Sequence, residues 1–154
     1  MKFKQILQTA FLFFIFFNTS VYGLNNKIIA RVGTEIITNL DLKNEIKTYL
    51  VMTRQQINQE NVNKSKDLAF RSLIRNAIKL NEIKKYKVDK YNPQDLENYL
   101  NLISKNIGAD RSNLKNFFKL NKLDYEKFRE NYINELLWNT LIFSLYKNQI
   151  TINP

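Results

Sequence analysis

The sequence predicts a mainly α-helical domain with a short N-terminal β-hairpin and a long C-terminal helix. Three observations carry that expectation. From about residue 39 to residue 150 the apolar residues recur mostly at spacings of three and four, the period of helices with one face turned to a core. Residues that favour helix starts, Thr38, Asn92 and Asp124, stand just ahead of such stretches. Before them, two β-branched runs flank Gly33-Thr34, where glycine can supply the positive φ of a tight hairpin turn.

The first residues have the layout of an export signal. Lys2 and Lys4 precede the uncharged stretch of residues 5–23, whose densest apolar part is residues 10–17. Val21 and Gly23 place small residues where a signal peptidase needs them, so cleavage after Gly23 gives a mature domain of residues 24–154. The uncharged run also has about the 20 residues of a spanning helix, and an uncleaved inner-membrane anchor is the alternative. Both outcomes place the rest of the chain outside the cytoplasm, with the periplasm as the expected location. Removing residues 1–23 leaves 131 of the 154 residues, a size that supports one domain with its own core.

The elements follow in order. Residues 27–32 and 35–38 form the hairpin, whose apolar face must lie on helices because two strands alone are marginal in water. Thr38 and Asp41 supply a hydroxyl cap and a first-turn carboxylate for a helix over residues 39–55, with Leu42, Ile46, Tyr49 and Leu50 on its stripe and Val51 and Met52 at its edges. Residues 56–65 are polar and rich in Asn and Gln, and read as a loop. Phe70, Leu73, Ile74, Ala77, Ile78, Leu80 and Ile83 mark the second helix. Asn92-Pro93 starts the third, which Gly108 stops after residue 107. A short fourth helix over residues 111–120 follows Asp110 as its cap. Asp124 caps the last and longest helix, about 26 residues and roughly 40 Å at 1.5 Å per residue. Trp138, Ile142, Phe143 and Tyr146 lie off its main stripe. It is therefore either the central core helix or a surface for a partner.

Composition narrows the chemistry. Neither histidine nor cysteine occurs, which removes Ser-His-Asp and Cys-His nucleophiles, histidine-based metal sites, the usual general base near neutral pH, and disulfides. With three glycines, Gly23, Gly33 and Gly108, no phosphate-cradling loop can be built. Glu126 with Glu130, and Asp95 with Asn98, share helical faces, but such pairs are commonly solvated surface. No cofactor and no metal is expected, and no enzymatic activity. The net charge is +10, of which Lys2 and Lys4 carry two, leaving +8 on the mature part. That excess is either a solvated surface or an attractor for anionic partners. Export argues against nucleic acid.

Residues 28–42, an apolar strand, a turn, a second apolar strand and a Thr38-x-x-Asp41 cap, resemble the opening of the SurA N-terminal domain family of parvulin-linked chaperones such as PpiD. Residues 69–83, with Leu73-Ile74, resemble the family's helix bearing a Leu-Ile pair, and residues 125–154 its long final helix and exit segment. The resemblance spans essentially all of the mature chain; its opening motif is moderately specific, the helices less so. It implies an ATP-independent periplasmic chaperone domain that binds unfolded exported or outer-membrane polypeptides in an apolar helical groove. That family continues into prolyl isomerase domains and a returning C-terminal segment where this sequence reaches Pro154. The expectation is therefore the chaperone part without the isomerase, its client surface completed by self-association or an envelope partner. The alternative is a non-catalytic assembly subunit that pairs with another envelope protein.

Aromatic side chains offer large, sequence-tolerant contact area for extended peptides, and each can equally be core. The candidate client-binding residues are Tyr49, Met52, Tyr99, Phe117, Phe118, Trp138 and Phe143.

Overall fold

A computed structural model of the chain describes residues 26–147. The expected signal of residues 1–23 and exit segment of residues 150–154 lie outside them. Strand β1 (Ile28–Val32) pairs antiparallel with β2 (Glu35–Thr38). The pairing of Ile28 with Thr38 and of Ala30 with Ile37 leaves Ile29 as a bulge. Gly33 takes φ +58° in the turn. Thr38 then caps α1 (Asn39–Met52): its hydroxyl accepts from the Asp41 N–H at 3.2 Å, and the Asp41 carboxylate accepts from the Thr38 N–H at 2.8 Å.

Helix α2 (Gln59–Lys85) is the longest among the described residues at 27 residues, about 40 Å of rod. Two expectations are corrected here. Most of the polar stretch of residues 56–65 is helix, not loop, because Asn58 caps it by accepting from the Asn61 N–H at 2.9 Å. The pairs Gln59–Asn63 and Glu60–Lys64 lie one turn apart on its surface, and Val62 packs against α1. The final helix, α5 (Tyr125–Tyr146), is accordingly the second longest at 22 described residues; its expected continuation toward residue 150 falls outside the described residues.

Asn92 caps α3 (Pro93–Asn106), and Asp124 caps α5 by accepting from the Lys127 N–H. Asp110 makes no side-chain cap. The expected fourth helix instead divides into a 3₁₀ turn (Arg111–Asn113) and α4 (Leu114–Leu120), with Arg111 tied back to Glu97 on α3 at 3.1 Å.

The helix ends share one geometry. After α1, α2, α3 and α4 a residue in the left-handed region, Arg54, Lys87, Gly108 or Lys122, is followed by a bond from the next N–H to the carbonyl five residues back: Gln55 to Leu50, Val88 to Ile83, Ala109 to Ser104, Leu123 to Phe118. Hence α1 stops at Met52 rather than near Gln55.

Helix α2 packs against α1, α5 and both strands, while α3 and α4 pack on α5. Two apolar clusters result. The larger joins Leu96 and Leu100 of α3, Leu114 and Phe118 of α4, and Leu136 of α5; the smaller joins Ile46 and Leu50 of α1 to Ala69 of α2. The hairpin docks through Ile37, which is buried, and through Asn81 of α2. The Thr34 N–H and hydroxyl donate to Asn81 Oδ1 at 3.1 and 3.0 Å, and Asn81 Nδ2 donates to the carbonyls of Val32 and Ala77 at 2.7 and 2.8 Å. A Cβ on Gly33 would stand 2.6 Å from Asn81 Oδ1, so the turn reaches this amide only with glycine there. Beside it, the Lys84 ammonium bonds Glu35 at 2.6 Å and holds that carboxyl below the usual carboxylate range.

Two outcomes follow for stability. Lys87 is exposed with φ +53°, and Lys87→Gly raises the free energy of unfolding by roughly 0.5–1 kcal/mol in urea denaturation, while Lys87→Ala leaves it unchanged. Asn81→Ala costs about 1–3 kcal/mol by orphaning the hairpin's polar groups; amide exchange over residues 28–38 accelerates before that of α2.

Candidate functional site

Helices α1, α2 and α5 enclose a groove of about 770 Å³. Asn44, Thr48 and Tyr49 line it from α1, Ser72, Leu73 and Asn76 from α2, and Phe128, Asn131 and Tyr132 from α5, with Tyr99 reaching in from α3. Its floor is where α2 meets α5, and two polar pairs join the helices there. Asn76 Nδ2 donates to Asn131 Oδ1 at 3.0 Å, and one turn on Lys79 donates to Glu135 Oε1 at 2.6 Å. Stepping forward on both helices together, these pairs show that α5 runs in the same direction as α2. Two further bonds join the sides of the molecule: Lys47 Nζ to the Lys122 carbonyl at 3.0 Å, and the Arg54 guanidinium to the Asn106 carbonyl.

An aromatic stack borders the floor. The Tyr99 and Tyr132 rings lie 3.5 Å apart between centroids and 5° from parallel, with Phe128 stacked on Tyr99 at 5.9 Å and tilted against Phe118 at 4.8 Å. Burial, with Tyr132 and Glu135 nearby, pushes the Tyr99 phenol up to about 12.

The structure divides the seven sequence-predicted residues. Tyr49 and Tyr99 come together on the groove. Met52 and Phe117 are half-buried against the larger cluster. Phe118 is corrected to a core residue: it is fully buried among Phe117, Tyr125 and Phe128, and this conformation offers no part of it to a client. Trp138 is half-buried, with the Lys79 ammonium 6.0 Å above its ring. Phe143 is 65% exposed, beside the exposed Leu145 and Tyr146.

That last group forms an uncovered apolar end of α5. The outward face of the hairpin is uncovered as well, with Ile28 and Ile36 on the same side of the sheet and Leu40 exposed at the start of α1. Sequence reasoning missed these three isoleucine and leucine positions and the polar floor residues Asn76, Lys79, Asn131 and Glu135. A signal for the floor exists in the sequence: Asn76 and Lys79 interrupt the apolar face that runs from Phe70 to Ile83.

Glu126 and Glu130, which share a helical face, are each taken up by a lysine. Glu126 bonds Lys115 at 2.9 Å, pushing the lysine up from its ordinary value, and Glu130 bonds Lys127 at 3.4 Å. Among the described residues no three acidic side chains stand close enough to hold a metal ion, and no helix is long and apolar enough to cross a membrane. Comparison of the chain with known protein families, curated proteins and solved structures gives no match.

The Tyr99 environment is testable by titration. Its phenol ionises only near pH 12 in the folded chain but near pH 10 once unfolded. The stability due to this burial is therefore complete below about pH 10 and is lost as pH rises toward 12. Ultraviolet difference spectra should show one tyrosine titrating late, and Tyr99→Phe should remove that component.

Proposed function

We propose that this chain is an ATP-independent chaperone domain that holds unfolded exported polypeptides, outer-membrane proteins among them, as its resemblance to the SurA N-terminal domain implies. The observation that supports this most is the uncovered apolar surface at the end of α5, where Phe143, Leu145 and Tyr146 face solvent on a helix that is apolar on more than one side. Phe143 and Tyr146 stand one turn apart on the same face, and exposed apolar surface of this kind marks an interaction site in a soluble protein. The outward face of the hairpin adds Ile28 and Ile36. The mechanism is reversible shielding: apolar segments of a client cover these side chains and are kept from one another. The +8 charge of residues 24–154 speeds capture of acidic clients, an effect that weakens with salt.

The reading is tested by diluting a urea-unfolded outer-membrane protein into buffer with the purified chain and following light scattering. The chain should suppress aggregation, and Phe143→Ser with Tyr146→Ser should reduce suppression several-fold without loss of helicity. Absence of suppression together with absence of binding to aromatic-rich peptides ends the proposal. Stoichiometric binding to one folded envelope protein, without client activity, would instead identify an assembly subunit.

A further inference from the structure

The outward face of the hairpin carries charge as well as apolar side chains. Across the ladder Arg31 stands opposite Ile36, and Ile28 opposite Thr38; directly opposed residues share a face. Ile28, Arg31 and Ile36 therefore lie on one side of the sheet, although Ile28 and Arg31 are three apart in a strand whose faces alternate. The bulge at Ile29 makes this possible by shifting the alternation by one residue. Without it Arg31 would point to the side on which Ile37 is buried. The start of α1 extends the face: Leu40 is exposed, and Lys43, one turn on, is exposed on the same side of that helix. Lys27 is exposed beside it, its N–H donating to Asn39 Oδ1 at 3.0 Å.

The charges of this region do not cancel. Between residues 26 and 44 the charged side chains are Lys27, Arg31, Glu35, Asp41 and Lys43. Both carboxylates are already engaged, Glu35 by Lys84 and Asp41 by the Thr38 cap. The three cations have no side-chain partner among the described residues. Aliphatic tips beside unpaired cations suit a bilayer interface, where the tips pass below the headgroups and the cations stay at the level of the phosphates. A second copy does not fit, because a two-fold contact would set the same three cations against themselves. The place of the face in the sequence also points to a bilayer. Ile28 follows the uncharged run of residues 5–23 by five residues, and that run has the length and composition of a segment that enters a membrane during export.

We infer that the outward face of the hairpin and the first turn of α1 dock on an anionic lipid bilayer, Ile28, Ile36 and Leu40 entering its interface and Lys27, Arg31 and Lys43 meeting lipid phosphates. This goes beyond the chaperone reading and draws on the export reading of residues 1–23. It places the domain at the membrane surface, where exported chains emerge. On a bilayer the hairpin face is occupied by lipid, and the apolar end of α5 is what remains for a client.

The test uses the full chain, which has no cysteine, so that Ile36→Cys carries a nitroxide label at one position. Collisions of the label with oxygen, which concentrates in hydrocarbon, are compared with collisions with a nickel chelate, which stays in water. On vesicles of phosphatidylcholine with phosphatidylglycerol the label should gain oxygen contact and lose nickel contact, and should do neither on phosphatidylcholine alone or in high salt. A label at Ile57→Cys, exposed near the other end of α2 and about 30 Å along the rod from Asn81, should stay in water throughout. Each basic side chain near an anionic surface favours association about five-fold, so Lys27→Gln, Arg31→Gln and Lys43→Gln together should lower the inserted population about a hundred-fold with helicity retained. Because the label reports residue 36 alone, attachment to the vesicle through residues 1–23 does not imitate the result. A label at residue 36 that stays in water on anionic vesicles, or that inserts equally into neutral ones, overturns the inference without any charge variant having to fold. If an acidic, leucine-containing peptide then immobilises that label, the face belongs to a polypeptide partner.

Discussion

A helix of 27 residues is about 40 Å long, more than a domain of this size can enclose, and the position of every other element follows from how it uses that rod. The N-terminal half of α2 carries α1, through Ala69 and the partly buried Val62 against Ile46 and Leu50. Its C-terminal half carries the hairpin through Asn81 and Lys84. The middle meets α5 through Asn76 and Lys79. No single core can serve three attachments spread over such a length, which is why the larger apolar cluster forms away from α2, among α3, α4 and α5.

This division produces the groove. Two apolar clusters, one on each side, are joined across the α2–α5 contact, by two bonds from long cationic side chains to carbonyls at helix ends, and by Met52 of α1, which packs against the larger cluster. Such bonds are worth about 1 kcal/mol each, so the cohesion of the two sides comes chiefly from the α2–α5 contact and the packing of Met52. A polar contact at that place adds less cohesion than aliphatic packing would.

Much of the fold is legible in the sequence because its signals are local. Thr38 with Asp41, Asn92 before Pro93, and Asp124 each fix a helix start by a bond spanning two or three residues, and all form as expected. The ends are less legible. Arg54, Lys87 and Lys122 adopt the left-handed geometry that usually announces itself as glycine, and a lysine or arginine there gives no warning. The first turns of α2 were hidden for a related reason: a helix stabilised by its Asn58 cap and surface pairs shows no apolar period until it reaches the core. The candidate site is least legible of all. Phe118 and Phe143 are equivalent in composition and in helical context, yet one is sealed and the other bare, because burial depends on which elements arrive opposite them. Asn76 meets Asn131 across 55 residues, a pairing that no local pattern encodes.

The hairpin shows how little apolar burial can hold an element when polar geometry is complete. It buries one large side chain, Ile37, and leaves Ile28, Ile29 and Ile36 exposed. Burying a single isoleucine is worth roughly 1.5–3 kcal/mol, too little to order eleven residues against their conformational entropy of about 1 kcal/mol or more each. What remains must come from the strand ladder, from the Lys84–Glu35 pair and from Asn81, whose amide spends two donors and accepts twice, three of those four bonds reaching the turn. Gly33 admits that contact, since a side chain there would collide with the amide. Because the attachment is concentrated at the turn, the outward isoleucines owe nothing to packing and remain exposed.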